Sequence, residues 1–478
     1  MQKRWFCLVI MTILLQVGFN ANAASASSPD SKALSISANH SNTSTPQPVP
    51  QLIAKSMQHR QLEHLATPLS APLKSLNFAN KGASQTEQES AKALKDKANR
   101  SILSYEEAIT NLESIGGSYN GDIEQQLMSL GLAQQFLGKH QKAIKIYKRA
   151  MHLNRINEGL YSTGQVQIIE RLINSHMAMA QWEEVSDRYK YLYWLGQQNY
   201  GGNDIRMLPT LHQLSRWHLQ AYAMRIGDDQ STIIGHLVEA HKMFERSIAL
   251  LAHQYGENDQ RLINELNGLT LANYFFATFQ NMPIKKRTST PVSDLDMRRS
   301  GQMINQFISN SFRRGKESIS RVIEIHQNDE NATPWAVAKA KVKLADWMLM
   351  FNKRNSAISL YQEAFNALDG EETSIHERGK IFGHPVALPR LDLLENNTYS
   401  ENDGRAYDKQ KDYVLASFDV TAHGKTTNIE ILESQPTDNI SVRSQVKKSL
   451  RVARFRPRFI EGQPVFAENV TLRILSPQ

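Results

Sequence analysis

Cysteine is nearly missing from this chain: one in 478 residues, at Cys7. If the first 23 residues are removed on export, the remainder has no thiol. That excludes disulfide bridges, thiolate metal ligands and a cysteine nucleophile. Cys7 also lies at the start of the only long apolar stretch, most of which follows it, so it does not read as a lipid-bearing cysteine. That stretch, Trp5 to Phe19, covers 15 residues and includes Thr12 and Gln16, short of the ~20 apolar residues that cross a hydrocarbon core. No phosphate-binding G-x-x-x-x-G-K-[ST] loop and no G-x-S-x-G elbow occurs. The histidines of "HLVEAH", His236 and His241, match no zinc-protease spacing. On a helix they lie about 140° apart, and His212 and His218 about 120° apart, so neither pair shares a metal ion from one helical face. The carboxylate pairs Glu106 and Glu107, Glu183 and Glu184, and Glu371 and Glu372 read as solvated charge. Nothing here calls for a metal, a cofactor or catalysis, and the expectation is a non-enzyme.

The N-terminus shows Lys3 and Arg4, then the apolar run, then Ala21-Asn22-Ala23, the pattern of a cleaved secretory signal over residues 1–23. Periplasmic export is expected; the rival reading keeps residues 5–19 as an inner-membrane anchor. Residues 24–100, rich in Ser, Asn and Pro at their start, read as a flexible tether. Helix is expected from about Ser101, with Ser104 and Glu107 as a capping box. The formal net charge is +8, spread along the chain as on a solvated helical surface, without a nucleic-acid-binding tract.

From 101 to 370 one theme recurs. In "LMSLGLAQQFLGKHQKAIKIYKRAMHL", Leu127, Leu130 and Gly131 precede a turn at Gly138, then Ala143, Tyr147 and Ala150 follow. Small residues at Gly131 and Ala143 let two helices approach, while Tyr147 fills the groove between them. "KLADWMLMFNKRNSAISLYQEAFNAL" repeats the register with Leu344, Ala345, Ala357, Tyr361 and Ala364. Val185 with Tyr189, and Ala240 with Phe244, fit more loosely. Residues 124 to 157 resemble a tetratricopeptide repeat, departing from it at Gln134 and Arg155, and the whole region resembles a degenerate solenoid of such repeats. The step from Ala143 to Val185 is 42 residues rather than 34, which implies longer helices or added loops. Pro209, the "YGGND" turn and 281–296 read as loops, and 371–411 as an extended connector.

The period changes from 3.6 to 2 at Tyr413. "YVLASFDV" puts Val414, Ala416, Phe418 and Val420 on one face, a turn follows at His423-Gly424, and "TNIEILES" gives a second strand. Val442, Val446 and Leu450 mark an amphipathic helix capped by Asp438 or Asn439, and "ENVTLRILSP" a last strand with Val470, Leu472 and Ile474 inward. Residues 413 to 475 are similar to the C-terminal domain of the TonB family, through Phe418, Val420, Gly424 and Ser434 and through "RFRPRFIEGQPV", where Arg454, Phe455, Pro457, Gly462, Pro464 and Val465 match in order. Ala453 stands where Trp is common. The resemblance implies a small α+β domain, strand-strand-helix-strand, over 412–478. It further implies that its last strand can pair with an extended peptide of an outer-membrane receptor, through Asn469, Val470, Thr471 and Arg473. The expected molecule is mainly α, a tetratricopeptide-like solenoid joined to a TonB-like domain, acting as a periplasmic adaptor between protein partners. The rival is an anchored TonB-type energy transducer. The chain shows no His before His40 and no charged Pro-rich spacer, which separates it from that class.

Overall fold

Ten of the described helices pair into hairpins, and at most of their described ends a backbone device turns the chain back on itself. The computed structural model describes residues 85–227, 230–279, 294–368, 372–388, 413–435 and 440–475. Its helices are α1 (Gln85–Gly116), α2 (Asp122–Phe136), α3 (His140–Asn157), α4 (Gln165–Ala178), α5 (Trp182–Tyr200), α6 (Leu208–Ala223), α7 (Gln230–Tyr255), α8 (Leu262–Phe279), α9 (Asp294–Asn328), α10 (Pro334–Met350), α11 (Arg354–Asn366) and α12 (Glu372–Phe382). Helices α2 to α11 form five hairpins stacked in order, with α1 laid on α2.

Two turn types alternate. Inside four of the hairpins, the amides of Lys139, Gln181, Ile226 and Lys353 bond the carbonyls of Gln134, His176, Ala221 and Met348. The residue before each takes positive φ: Gly138, Ala180, Arg225 and Asn352. These are Schellman closures, which satisfy the orphan carbonyls of a helix end. Between hairpins, a side-chain oxygen accepts from the amide two residues on: Asn120 from Asp122 at 3.0 Å, Ser162 from Gly164 at 3.1 Å, Asp204 from Arg206 at 2.8 Å, Asp259 from Arg261 at 2.8 Å and Asp329 from Asn331 at 3.0 Å. In the first four, a glycine three residues earlier (Gly117, Gly159, Gly201, Gly256) supplies the left-handed backbone. From Asn120 to Ser162 and from Ser162 to Asp204 the step is 42 residues. The 42-residue spacing between Ala143 and Val185 is therefore the period of the first repeats, set by helices of 14 to 19 residues.

The expected registers pack as the residue sizes require. Gly131, Ala143, Tyr147, Ala150, Ala345, Ala357, Tyr361 and Ala364 are all buried, and a Cβ on Gly131 would collide with the Tyr147 ring. Val185, Tyr189, Ala240 and Phe244 are buried as well.

Three expectations change. Helix α1 starts at Gln85, not Ser101, so the tether of 24–100 gives way to helix within its bounds and Ser104 lies inside a helix instead of capping one. The Ala, Glu, Gln and Lys of "QTEQESAKALKDKANR" are good helix formers, and the polarity that suggested a tether belongs to an exposed helix. The supposed extended connector of 371–411 contains α12, and Pro209 sits in the first turn of α6, where its missing amide does no harm. The signal, the rest of the tether, most of the 281–296 loop, residues 389–411 of the connector and the caps Asp438 and Asn439 lie outside the described residues.

The C-terminal module contains β2 (Tyr413–Val420), β3 (Thr426–Gln435), α13 (Ile440–Val452) and β7 (Ala467–Leu475), and its sheet order is β3-β2-β7, antiparallel. Val414, Ala416, Phe418 and Val420 face Val446, Leu450 and Phe455 in its core. Four short strands accompany the expected order. β4 (Arg454–Arg456) pairs with β1 (Val386–Leu388), which belongs to the chain leaving the solenoid. β5 (Arg458–Ile460) pairs with β6 (Gln463–Val465) around Glu461 and Gly462, both at positive φ as a two-residue hairpin demands.

Candidate functional site

"RFRPRFIEGQPV" is the place where the module meets the solenoid. Pro457 separates β4 from β5, and Arg456 before it and Phe459 two places after it reach the last hairpin. Arg456 Nε donates to Asp346 Oδ1 at 2.9 Å and Nη2 to Oδ2 at 2.6 Å, a two-pronged pair between side chains that are 4% and 5% exposed. Tyr361 Oη donates to Asp346 Oδ1 at 2.6 Å, and Arg456 Nη1 to the Ile381 carbonyl at 3.2 Å. Every polar group in this dry cluster thus has a partner, the condition under which a buried pair is tolerated. Burial opposes the Arg456 charge, but Asp346 outweighs it and holds the guanidinium above its ordinary pKa. Burial, then Asp346, pushes the Tyr361 phenol well up.

Phe459, a few residues further along, has ring centroids 5.1 Å from Phe382, 5.6 Å from Tyr361 and 6.3 Å from Phe365. Arg454 donates to Asn352 Oδ1 at 3.2 Å and Gln362 to Gln463 at 3.1 Å. A solenoid leaves its last hairpin with an uncovered apolar side that must be capped. Here α12 and the β4–β5 segment close it, and Phe459 joins the solenoid's own core.

Most of the other residues of the resemblance serve the module's interior. Phe418 and Phe455 are core residues 5.1 Å apart. Gly424 has φ +72, its carbonyl accepts from Phe455 N at 2.9 Å, and a Cβ there would strike the Phe455 carbonyl. Ser434 accepts from Arg443 Nε at 2.7 Å. Pro457 is buried, and Pro464 and Val465 are in β6.

Among the described residues, β7 is paired on one side only, by β2. The four residues expected to meet a partner differ in place. Asn469 is a bulge at φ +53, its amide held by Asp419 Oδ1 at 3.0 Å. The other Asp419 oxygen accepts from Asn428 Nδ2 at 2.6 Å, and Asn428, on β3, is also at positive φ. One carboxylate therefore pins an irregularity on both neighbouring strands, and such bulges limit pairing at a sheet edge. Val470 packs toward the core, Thr471 is exposed opposite Ser417, and Arg473 is opposite Leu415. The strand's regular stretch begins after the bulge. Around the bulge lies an open groove of about 450 Å³ lined by Phe466, Ala467, Glu468 and Val470 on one side and by Gly383, His384, Pro385 and Arg458 on the other.

The histidines meet across helices, not along them. His218 on α6 and His236 on α7 have Nδ1 atoms 2.9 Å apart and ring centroids 5.2 Å apart, a separation that fits an N–H···N bond between neutral rings. His212 bonds Glu265 Oε1 at 2.9 Å. His241 is fully buried between Phe276 and Phe307. Among the described residues no group of three or more His, Cys, Asp or Glu is placed to hold a metal ion. No described helix is long and apolar enough to cross a membrane.

No family model matches the chain, and no curated protein does. Solved structures it is similar to include a Podosopora anserina protein described as a kinesin light chain with nearly identical TPR-like repeats, at 12% identity over 52% of this chain and 96% of that one, with a TM-score of 0.34. A single-substitution form of the same protein, at 13% identity, covers 51% and 93% with a TM-score of 0.33. A third is BtubC (BKLC) from P. vanneervenii, at 14% identity over 61% and 92%, with a TM-score of 0.33. The architecture described above rests on the stacking and turns of this chain itself.

Proposed function

We propose that this protein is a non-enzymatic adaptor of the cell envelope, exported by residues 1–23, in which the helical repeats bind one protein partner and the TonB-like module binds another. The module takes an extended segment of its partner by strand addition to β7. Main-chain groups would supply the affinity and the neighbouring groove the specificity. The observation that carries this reading is β7 itself, paired on one side among the described residues and bordered by a groove that spans the Asn469 bulge. An outer-membrane transport receptor is the partner the family resemblance suggests.

Deleting the module is a poor test, because it would uncover Tyr361, Phe382 and the rest of the capped end. Site-specific photocrosslinking in the full chain is better. A crosslinking residue at exposed Thr471 on β7 is expected to capture an envelope protein, and one at exposed Leu432 on β3 is not. Equal capture from both, or none from Thr471, contradicts the reading. N-terminal sequencing of the exported chain is expected to start at Ala24; a retained residue 1 would instead favour the anchored transducer.

A further inference from the structure

A sheet edge accepts an added strand where its outward N–H and C=O groups alternate without interruption. One inserted residue shifts that alternation and turns every following group the other way. The ladder between β2 and β7 is interrupted at a single place. Phe418 is opposite Val470 and Val420 opposite Ala467, so two steps along β2 match three along β7, and Asn469 absorbs the difference at φ +53. The ladder to β3 has a matching irregularity beside it. Ser417 is opposite Glu430 and Asp419 opposite Thr427, with Asn428 at φ +49. Both irregularities close on one carboxylate: Asp419 Oδ1 accepts from the Asn469 amide at 3.0 Å, and Oδ2 from Asn428 Nδ2 at 2.6 Å. Asparagine tolerates left-handed backbone, and here the central strand holds it there on both sides.

We infer that Asp419 is the positioning residue of the strand-addition site: it ends the usable edge of β7 at the bulge, so that an added segment pairs with residues 470–475 and no further. The inference rests on the strand-addition reading and deepens it by fixing the length of the guest. Residues 470–475 offer about 20 Å of regular edge, at ~3.4 Å per residue. A short extended segment of about six residues fills it. A longer strand, such as the edge of another sheet, gains nothing from its further residues, which meet groups of the wrong phase at Ala467 and Glu468. Asp419 itself stays clear of the guest, since it lies on β2, one strand in from the edge, and acts through Asn469.

The test uses two fluorescent peptides that copy the strand β7 already accepts, "YVLASF" (residues 413–418) and "YVLASFDV" (residues 413–420), titrated with the full-length protein and followed by polarisation. In β2 the shorter stretch spans from Leu475 to Val470, and the longer reaches past the bulge to Ala467. Wild type is expected to bind the two equally, within about twofold. Deleting Asn469 makes the register continuous and is expected to favour the longer peptide at least about tenfold, the scale of two further backbone hydrogen bonds. Asp419→Ala, which unpins Asn469 without shortening the chain, is expected to move the preference the same way. Asp419→Asn keeps an acceptor for the Asn469 amide and is expected to behave as wild type. A module that these changes only weaken would bind both peptides less, with their ratio unchanged. A wild-type preference for the longer peptide, an unchanged ratio in both the deletion and Asp419→Ala, or failure of every form to bind either peptide overturns the proposal. In each of these cases Thr471 crosslinking decides the strand-addition reading separately: capture that persists leaves it standing without this limit, and its loss removes both.

Discussion

Substituting Arg456 by methionine removes the charge that neutralises Asp346 while keeping most of the side chain's volume. Asp346 would keep only the Tyr361 hydroxyl as a hydrogen-bond partner, in a site where its side chain is 5% exposed. Breaking a buried pair by taking away one member costs about 3–5 kcal/mol, because the remaining charge is stranded. Replacing both members by apolar residues of similar size, as in Asp346→Leu with Arg456→Met, is close to neutral by the same reasoning. Arg456→Lys falls between, since an ammonium cannot supply two parallel donors. Urea denaturation of the full chain, followed by the fluorescence of Trp347, which neighbours Asp346 on α10, reads all four. The single variants Arg456→Met and Asp346→Leu should each lose about 3 kcal/mol or more and the double should recover most of it, a coupling of at least about 2 kcal/mol. Additive losses, or a single-variant loss below about 1 kcal/mol, would show that the pair is solvated and that the module is not seated as described.

Gly424→Ala would force a Cβ onto the Phe455 carbonyl at a φ of +72, and a loss of more than about 2 kcal/mol is expected in the melting of the module, against about 1 kcal/mol for Gly117→Ala, where φ is +74 but no atom is near. Asp259→Ala removes the acceptor that closes an inter-repeat turn and should cost about 1 kcal/mol, measured by denaturation. Burial, then the His236 charge, pulls His218 down to about 3, and burial also lowers His236. Both are neutral in the folded state, so the unfolded chain binds more protons below its ordinary imidazole pKa of about 6.5. Their contribution is complete above about pH 6.5 and is lost as pH falls from there toward 3; denaturation midpoints of wild type and His218→Phe between about pH 7.5 and 4 should diverge, with the variant less pH-dependent. A midpoint with the same pH profile in both would refute that origin.

Different parts of the molecule were legible to different degrees. Gly131 with Tyr147 and Ala345 with Tyr361 could be read because size and 3.6-residue spacing act within one hairpin. The inter-repeat turns were hidden because Asn, Ser and Asp do the same work, so no single letter marks every turn. The seat of the module had no local signal at all: Arg456 and Asp346 are 110 positions apart, and β1 is three residues long, too short for any period. Nothing in "RFRPRFIEGQPV" itself marks Arg456 as the residue that enters the solenoid. The histidine pair was missed for a related reason, as helical angles were compared within α6 and within α7, but His218 and His236 meet between them.

The central claim is that solenoid and module form one body joined through Arg456. Its most direct test is the distance between spin labels at exposed Lys339 on α10 and exposed Lys448 on α13, introduced as cysteines with Cys7→Ser removing the only native thiol. A single narrow distance distribution that broadens in Arg456→Asp is the predicted result. A broad distribution in the parent protein, or one that Arg456→Asp leaves unchanged, would contradict it.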